Sequence, residues 1–316
     1  MTRVLVTGCA GFIGSHLVER LLQGDNDVIG IDCFTDYYPE EQKLANLSRA
    51  LNNERFTLIR RDIVEMDRFP LVDHVFHVAA QPGVRASWGA NFAIYTKNNI
   101  EATQRLLEFY RSTELKSFIN SSSSSVYGDA ELPMKEDARP LPVSPYGVTK
   151  LAAENLCYLY WKNYGVPVVS LRYFTVYGPR QRPDMAIHRF VHAMLNECEI
   201  QIYGDGQQLR DFTFVNDVID ALELATQSEM AGEVFNIGGG HTTSVNALIQ
   251  SIESLMGKKA RVRHVKQQKG DARDTLADTA KAKRLLSWSP QIDLEDGLKT
   301  YIAWVLKSHP MEFTTK

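Results

Sequence analysis

The chain has 316 residues, 44% hydrophobic and 23% charged, the composition of an ordinary folded protein with room for one large or two modest domains. With 35 Lys and Arg against 38 Asp and Glu the net charge is -3, and no long basic run offers an electrostatic grip on nucleic acid or an anionic membrane. The opening M-T-R-V-L-V-T-G is too short for a signal peptide, no apolar run nears the roughly 20 residues that span a bilayer, and Cys9, Cys33, Cys157 and Cys198 lack metal or redox spacing. These features point to a cytoplasmic protein with reduced thiols, no metal and a small-molecule partner.

Short β-branched runs at 4–6, 28–31, 56–59, 75–78, 118–119 and 166–171 alternate with segments long enough for helices. Apolar residues recur every three or four positions at 13–22, 91–111 and 148–164, the helical period. Strand alternating with helix predicts an α/β fold, a parallel sheet covered on both faces. After Arg172 the rhythm breaks into a loop-rich stretch, 175–184, where a smaller α/β domain is expected to begin. Strand-like pieces at 212–215 and 234–237 are expected to return to the first domain. The division is therefore interleaved: 1–174 with returning segments near 211–238, against 175–210 and 239–316. The tail from Ser308 is expected to fray.

The first strand runs into Gly8-Cys9-Ala10-Gly11-Phe12-Ile13-Gly14, a G-x-x-G-x-x-G turn that opens a helix. Glycines permit the tight turn and let backbone N–H groups approach a pyrophosphate where the helix dipole favours negative charge. The second strand ends at Asp32, where a carboxylate accepts hydrogen bonds from ribose hydroxyls and repels a 2′-phosphate. This favours NAD in a Rossmann-like, doubly wound fold. Asp62-Ile63 and Ala79-Ala80, after the third and fourth strands, are placed to flank adenine and pyrophosphate.

Tyr146 and Lys150 form Y-x-x-x-K near the start of a predicted helix, which sets both side chains on one face. Ser121 to Ser125 leave the end of the fifth strand, at the sheet edge where open α/β folds bind ligands, and read as a hydroxyl-lined wall. His16 and His77 read as packing residues, and Tyr158, Tyr160, Trp161 and Tyr164 as packing or a subunit contact.

The glycine turn, S-S-x-x-x-V-Y-G and Y-x-x-x-K together resemble the extended short-chain dehydrogenase/reductase superfamily, specifically its nucleotide-sugar epimerases and dehydratases. The resemblance extends to Asn99, Leu171-Arg172-Tyr173-Phe174, Val176-Tyr177-Gly178-Pro179-Arg180, Gly204-Asp205-Gly206, Arg210-Asp211-Phe212 and Gly270-Asp271. It implies Tyr146 as general base, Lys150 as its electrostatic activator and Ser123 as the hydroxyl beside the reacting sugar oxygen. It also implies cofactor contacts at Asn99, Tyr173 and Val176, diphosphate binding by Arg210, a substrate role for Asp271, and a homodimer. Physically, a phenol with a pKa of about 10 needs nearby positive charge to act as a base at neutral pH.

Sugar-nucleotide dehydratases carry an Asp-Glu pair, and uronate decarboxylases a Glu, where Ser124 and Ser125 stand here. Their absence argues for simple epimerisation at carbon 4. Gly83-Val84-Arg85-Ala86-Ser87, Tyr173-Phe174-Thr175-Val176-Tyr177 and Arg182-Pro183-Asp184-Met185-Ala186 resemble UDP-glucuronic acid 4-epimerases more than UDP-galactose 4-epimerases. The latter usually have Asn at Thr175 and Arg at Gln268. Oxidation of glucuronate at carbon 4 creates a β-keto acid that loses carbon dioxide when its carboxylate aligns with the ketone. Ser123, Ser124, Ser125 and Thr175 offer directional donors to hold that carboxylate, with Arg85 and Arg182 as longer-range charges. The alternatives are a UDP-galactose 4-epimerase, a UDP-glucuronate decarboxylase and a catalytically silent NAD-sensing regulator.

Overall fold

The computed structural model describes residues 1–266 and 268–308, so the expected frayed tail beyond Ser308 lies outside the described residues. Among the described residues twelve strands run in chain order: β1 Thr2–Thr7, β2 Asn26–Asp32, β3 Phe56–Arg60, β4 His74–His77, β5 Ser117–Ser123, β6 Val168–Tyr173, β7 Thr175–Tyr177, β8 Glu199–Tyr203, β9 Leu209–Phe214, β10 Val234–Ile237, β11 Thr242–Ser244 and β12 Arg261–Val265. Seven form one sheet in the order β10-β6-β5-β4-β1-β2-β3, parallel at every pairing. The order reverses direction at β1 and β4, the topological switch point outside which such sheets bind ligands. Among the described residues no helix is long and apolar enough to cross a membrane.

Helix α1 (Phe12–Gln23) starts directly after Gly11, with no acidic residue in its first turn and no side-chain cap. Its positive end is left for an anionic ligand. Leu17, Val18, Leu21 and Leu22 bury the opposite stripe. A Cβ on Gly14 would lie 2.1 Å from the Gly8 carbonyl oxygen, so glycine is what lets this helix begin so close to the turn. Helices α2 (Glu40–Asn46), α3 (Phe92–Tyr95), α4 (Ala102–Tyr110) and α5 (Pro145–Tyr164) follow. The N-terminus of α5 is fixed by Ser144, whose Oγ accepts from Gly147 N at 3.1 Å, with Pro145 in the first turn.

The predicted helix over 91–111 is not uniform: a wide π turn, Thr96–Glu101, separates α3 from α4. The wider turn rotates Asn98 and Asn99 so that both face inward, a device common at functional sites. Of the two later strand-like pieces, 212–214 ends β9, which pairs with β7 and β11 in a separate three-stranded sheet, with Val215 opening a helix, while β10 joins the main sheet. The reason is Asp211: fully buried, its carboxylate accepts from Gly239 N (2.5 Å), Gly240 N (3.2 Å) and Ala277 N (3.0 Å), and Phe212 and Phe214 pack edge-on against Tyr177. This anchors β9 beside the turn after β10 and outside the main sheet. The loop expected at 175–184 begins with the short strand β7.

His77 ends β4 in a fully satisfied pocket. Thr7 Oγ1 accepts from Ala79 N, so its proton goes to His77 Nδ1 (2.8 Å); Thr103 Oγ1 donates to Asn99 O, so it accepts from His77 Nε2 (3.0 Å). Burial lowers the pKa from 6.5 to about 3. The unfolded chain therefore binds one more proton than the folded one between those values, and stability is lost as pH falls through that window. The expected result in urea unfolding is a stability loss of up to about 3 kcal/mol from His77 between pH 7 and 4, with a further loss from His16, whose pKa burial lowers to about 4, and a flatter acid limb in His77→Gln. Parallel curves for variant and wild type would show that His77 does not carry the proton linkage.

Candidate active site

A cleft opens along the C-terminal ends of β1, β2 and β4 to β6. Gly8, Gly11, Phe12, Ile13, Gly14, Asp32, Asp62, Ile63, Ala79, Ala80, Tyr146, Lys150 and Tyr173 all line it. At one end Asp32 Oδ2 accepts from Ala10 N (3.0 Å) and Oδ1 from Phe34 N (2.8 Å), which fixes the carboxylate against burial that raises its pKa. Asp62 caps the turn after β3, accepting from Val64 N (3.0 Å) and Lys97 Nζ (2.7 Å). Dinucleotide geometry fits these residues: a side-chain-free turn at a helix N-terminus for the pyrophosphate, then an oriented acid for the ribose.

Two residues expected at the cofactor sit elsewhere. Asn99, 1% exposed, gives both amide groups to the protein: Oδ1 accepts from Gln81 N (2.7 Å) and Nδ2 donates to Gln81 O (3.1 Å) and Thr149 Oγ1 (2.9 Å). It braces the Ala79-to-Gln81 wall against α5, and its neighbour Asn98 faces the cleft. Val176, the middle residue of β7, is buried in the hydrophobic core and is not among the residues lining the cleft.

The serine run does not leave the strand at Ser121. β5 continues to Ser123, and only Ser124–Val126 form a turn. Ser121 and Ser122 line the cleft, Ser121 Oγ lying 3.2 Å from the Tyr173 hydroxyl. Ser123 Oγ accepts from Ser125 N (3.1 Å), which leaves its proton available to the Tyr146 phenol. Burial raises the Tyr146 pKa, while the Ser123 hydroxyl and the charge of Arg182 act to pull it back down. Lys150, buried on the same face of α5, is lowered to about 8. Ser87 Oγ accepts from Tyr146 N at 3.1 Å, tying the Arg85 loop to the start of α5.

Behind this wall lies a buried network with no obvious sequence label. Glu154, one helical turn past Lys150, accepts from Ser122 Oγ (2.7 Å) and is bridged twice by the Arg172 guanidinium. Arg172 also donates to the Tyr127 hydroxyl (2.8 Å) and Glu136 O (3.1 Å), and Tyr127 donates to Asn236 Oδ1 (2.7 Å). The i, i+4 spacing of Lys150 and Glu154 is visible in the sequence, but the partner Arg172 is not.

The expected substrate residues form three groups. Ser123 sits opposite Tyr173 in the β5–β6 register, so Ser124, Ser125 and Thr175 all lie just beyond the paired strand ends, each partly exposed. Arg85 donates to Asp271 from Nε (3.0 Å) and Nη2 (2.7 Å) and stacks 4.1 Å over Tyr203. Arg210 feels the same Asp271 and is fixed by its Nη1 donating to Leu209 O (2.8 Å) and Arg273 O (2.6 Å). Arg182 stands apart from these two: it lines the cofactor cleft, chelates Asp184 at 2.9 and 3.0 Å, and interacts electrostatically with Tyr146. Asp184 in turn accepts from the Tyr37 hydroxyl (3.2 Å) across the cleft. Lys43, Tyr37, Arg61 and Gln81 also line the cleft without any periodic or motif signal.

Comparison with known proteins agrees with this geometry. The family described as GDP-mannose 4,6 dehydratase matches residues 5–301. A Bacillus subtilis (strain 168) protein named as the uncharacterized UDP-glucose epimerase YtcB is 45% identical over 96% of this chain and 98% of its own length. A UDP-glucuronate 4-epimerase of Thermodesulfobacterium geofontis (strain OPF15) is 39% identical, covering 95% of each. The crystal structure of a Bacillus cereus UDP-glucuronic acid 4-epimerase, in complex with UDP-glucuronic acid and NAD, superposes with a TM-score of 0.94 at 45% identity over 97% of this chain and 99% of that one.

The Glu154–Arg172 pair yields a stability test. Breaking a buried pair from one side strands a charge, so Glu154→Met or Arg172→Met alone is expected to lose about 3–5 kcal/mol by denaturant unfolding. The double variant is expected to lose less than the sum of the two. Additive losses would show that the pair is not energetically coupled.

Proposed function

This chain belongs to the family described as GDP-mannose 4,6 dehydratase, among the extended short-chain dehydrogenases/reductases, and we propose that it is an NAD-dependent UDP-sugar 4-epimerase converting UDP-glucuronate to UDP-galacturonate. One juxtaposition carries the reading: Tyr146 and buried Lys150 line one cleft, and serines stand where dehydratases and decarboxylases place acids. Relatives and solved structures of the same length, named as UDP-glucuronate 4-epimerases, support it.

When bound, NAD accepts the hydride of carbon 4 and returns it to the opposite face of the resulting ketone, so there is no net redox change. Tyr146 takes the proton of the 4-hydroxyl and gives it back after the sugar turns. Ser123 donates to the phenol oxygen and stabilises it as it ionises. The ammonium of Lys150 and the guanidinium of Arg182 supply positive charge in the same cleft. Arg210 and Arg85 hold the diphosphate, and Asp271 releases Arg85 as the phosphates arrive. Ser124, Ser125 and Thr175 hold the carboxylate of the uronate out of line with the ketone.

Val148, Tyr158 and Leu159 on α5 and Ile94 on α3 are exposed apolar residues, a surface suited to pairing two copies as a homodimer. Four free thiols, Cys9 and Cys157 buried among them, suit a reducing cytoplasm. The name of the Bacillus subtilis relative keeps UDP-glucose as a second substrate to compare.

Incubation with UDP-glucuronate and product analysis test the assignment: UDP-galacturonate is expected, with little carbon dioxide. A product that is mainly UDP-pentose would make the enzyme a decarboxylase. Tyr146→Phe is expected to keep its fold and NAD binding but lose at least about 100-fold in turnover; near-normal turnover would remove Tyr146 from the chemistry. In Thr175→Val, or with Ser124 and Ser125 both changed to alanine, the pentose-to-epimer ratio is expected to rise. A loss of orientation preference of about 1.4 kcal/mol already changes that ratio about tenfold. Clean epimerisation by slowed variants would leave the enzyme assigned and the hydroxyl clamp rejected.

A further inference from the structure

Residues 258–273 carry seven Lys and Arg against one Asp, in a chain whose net charge is -3. Only Lys258 and Lys259 are adjacent, so the chain itself shows no basic run; the fold assembles one in space. β12 pairs in parallel with β8, which sets Arg261 opposite Glu199, Arg263 opposite Gln201 and Val265 opposite Tyr203. Ile200 and Ile202, the alternate residues of β8, are each 2% exposed. Side chains alternate across a strand, so Arg261, Arg263 and Tyr203 share the face turned away from the core.

That row ends at the arginine expected to bind the diphosphate. The Arg85 guanidinium lies 4.1 Å over the Tyr203 ring, and Asp271 Oδ2 accepts from its Nη2 at 2.7 Å. Gly204 N donates to Val265 O (2.9 Å), which fastens the end of β12 to the turn after Tyr203. At about 3.3 Å per residue, Arg263 and Arg261 stand roughly 7 and 13 Å before Val265 along the strand. Lys266, exposed, follows it directly. Glu199 Oε1 accepts from Arg263 Nε at 2.7 Å and offsets one charge, whereas among the described residues Arg261 and Lys266 take part in no ion pair. Charge on an exposed edge strand also discourages pairing with other chains, but either sign does that, at any point along the edge. Here the charges are of one sign and lead to one place.

Resting on the reading of the substrate as a nucleotide sugar with a diphosphate and a carboxylate, we propose that the outward face of β8 and β12 is its electrostatic approach path. Arg261, Arg263 and Lys266 draw the anion toward Arg85 and release it there. With a Debye length of about 8 Å at physiological ionic strength, each charge still acts on an anion at the next position of the row. The effect falls on the rate of association and is screened by salt; the chemistry in the cleft is untouched.

The full-length protein loaded with NAD is mixed with UDP, an anion that cannot react, in a stopped-flow experiment that follows tryptophan fluorescence, Trp88 lying beside Gly270. The triple variant Arg261→Gln, Arg263→Gln, Lys266→Gln is expected to slow UDP association at least about threefold at low ionic strength. Its dissociation rate, and its turnover at saturating UDP-glucuronate, are expected to match the wild type. Added salt is expected to erase the difference. Glu199→Gln, which removes the offsetting acid, is expected to speed association, and keeps the inference open to test where the triple variant fails a circular-dichroism check of folding. An association rate unmoved in a folded variant, or a change carried by dissociation, overturns the inference and leaves the substrate site standing. A wild type that does not bind UDP overturns both.

Discussion

Two opposite charges shut away from water, Glu154 and Arg172 at 7% and 5% side-chain exposure, hold the catalytic wall together. Removing both from solvent is expensive, and the Coulomb gain balances it only when the remaining donors and acceptors are satisfied. Here they are: Ser122, Tyr127, the Glu136 carbonyl and, through Tyr127, Asn236 complete the network. The pair ties α5 to β5, β6 and β10 through directional bonds that tolerate little sliding. Since Lys150 sits one turn before Glu154 and Tyr146 one turn before Lys150, the same bonds set how far both groups reach into the cleft.

Around that centre the charges are distributed by function. The N-terminus of α1 carries no acid of its own, so the pyrophosphate end is electropositive without any cation. Two of the arginines expected at the substrate keep an aspartate partner, Arg85 with Asp271 and Arg182 with Asp184. A guanidinium held this way is already oriented, and an incoming anion exchanges one partner for another. Arg182 bridges the two regions, lining the cofactor cleft while it acts on the Tyr146 phenol.

Backbone irregularities place groups that regular elements would have kept apart. The π turn at Thr96–Glu101 brings Asn98 to the cleft and Asn99 to Gln81, where an unbroken α-helix would turn one of them away. Gly147 lets α5 start against the Ser125 carbonyl, which a Cβ would approach to 2.4 Å. The helix bearing Tyr146 thus begins in contact with the serine turn that faces its phenol.

The sequence by itself determined the parallel sheet, the glycine turn with Asp32, and the pairing of Tyr146 with Lys150, because each is written in local spacing: β-branched runs, a G-x-x-G-x-x-G turn, four residues along a helix. The serine run at the end of β5 was legible as a hydroxyl-lined wall, while the role of Ser123 within it came from the family resemblance. Asn99 and Val176, expected at the cofactor, are buried and outside the cleft lining, because a motif gives a residue's position and not its direction; a π turn and core packing set those. The place of β9 depended on the three backbone donors gathered around Asp211, and two of the strand's neighbours, β7 and β11, are too short to announce themselves. Glu154 with Arg172 and Arg85 with Asp271 join residues 18 and 186 positions apart. Only the tertiary structure brings such charges within reach, since the Coulomb and hydrogen-bond terms that select them act through space and leave no period in the chain.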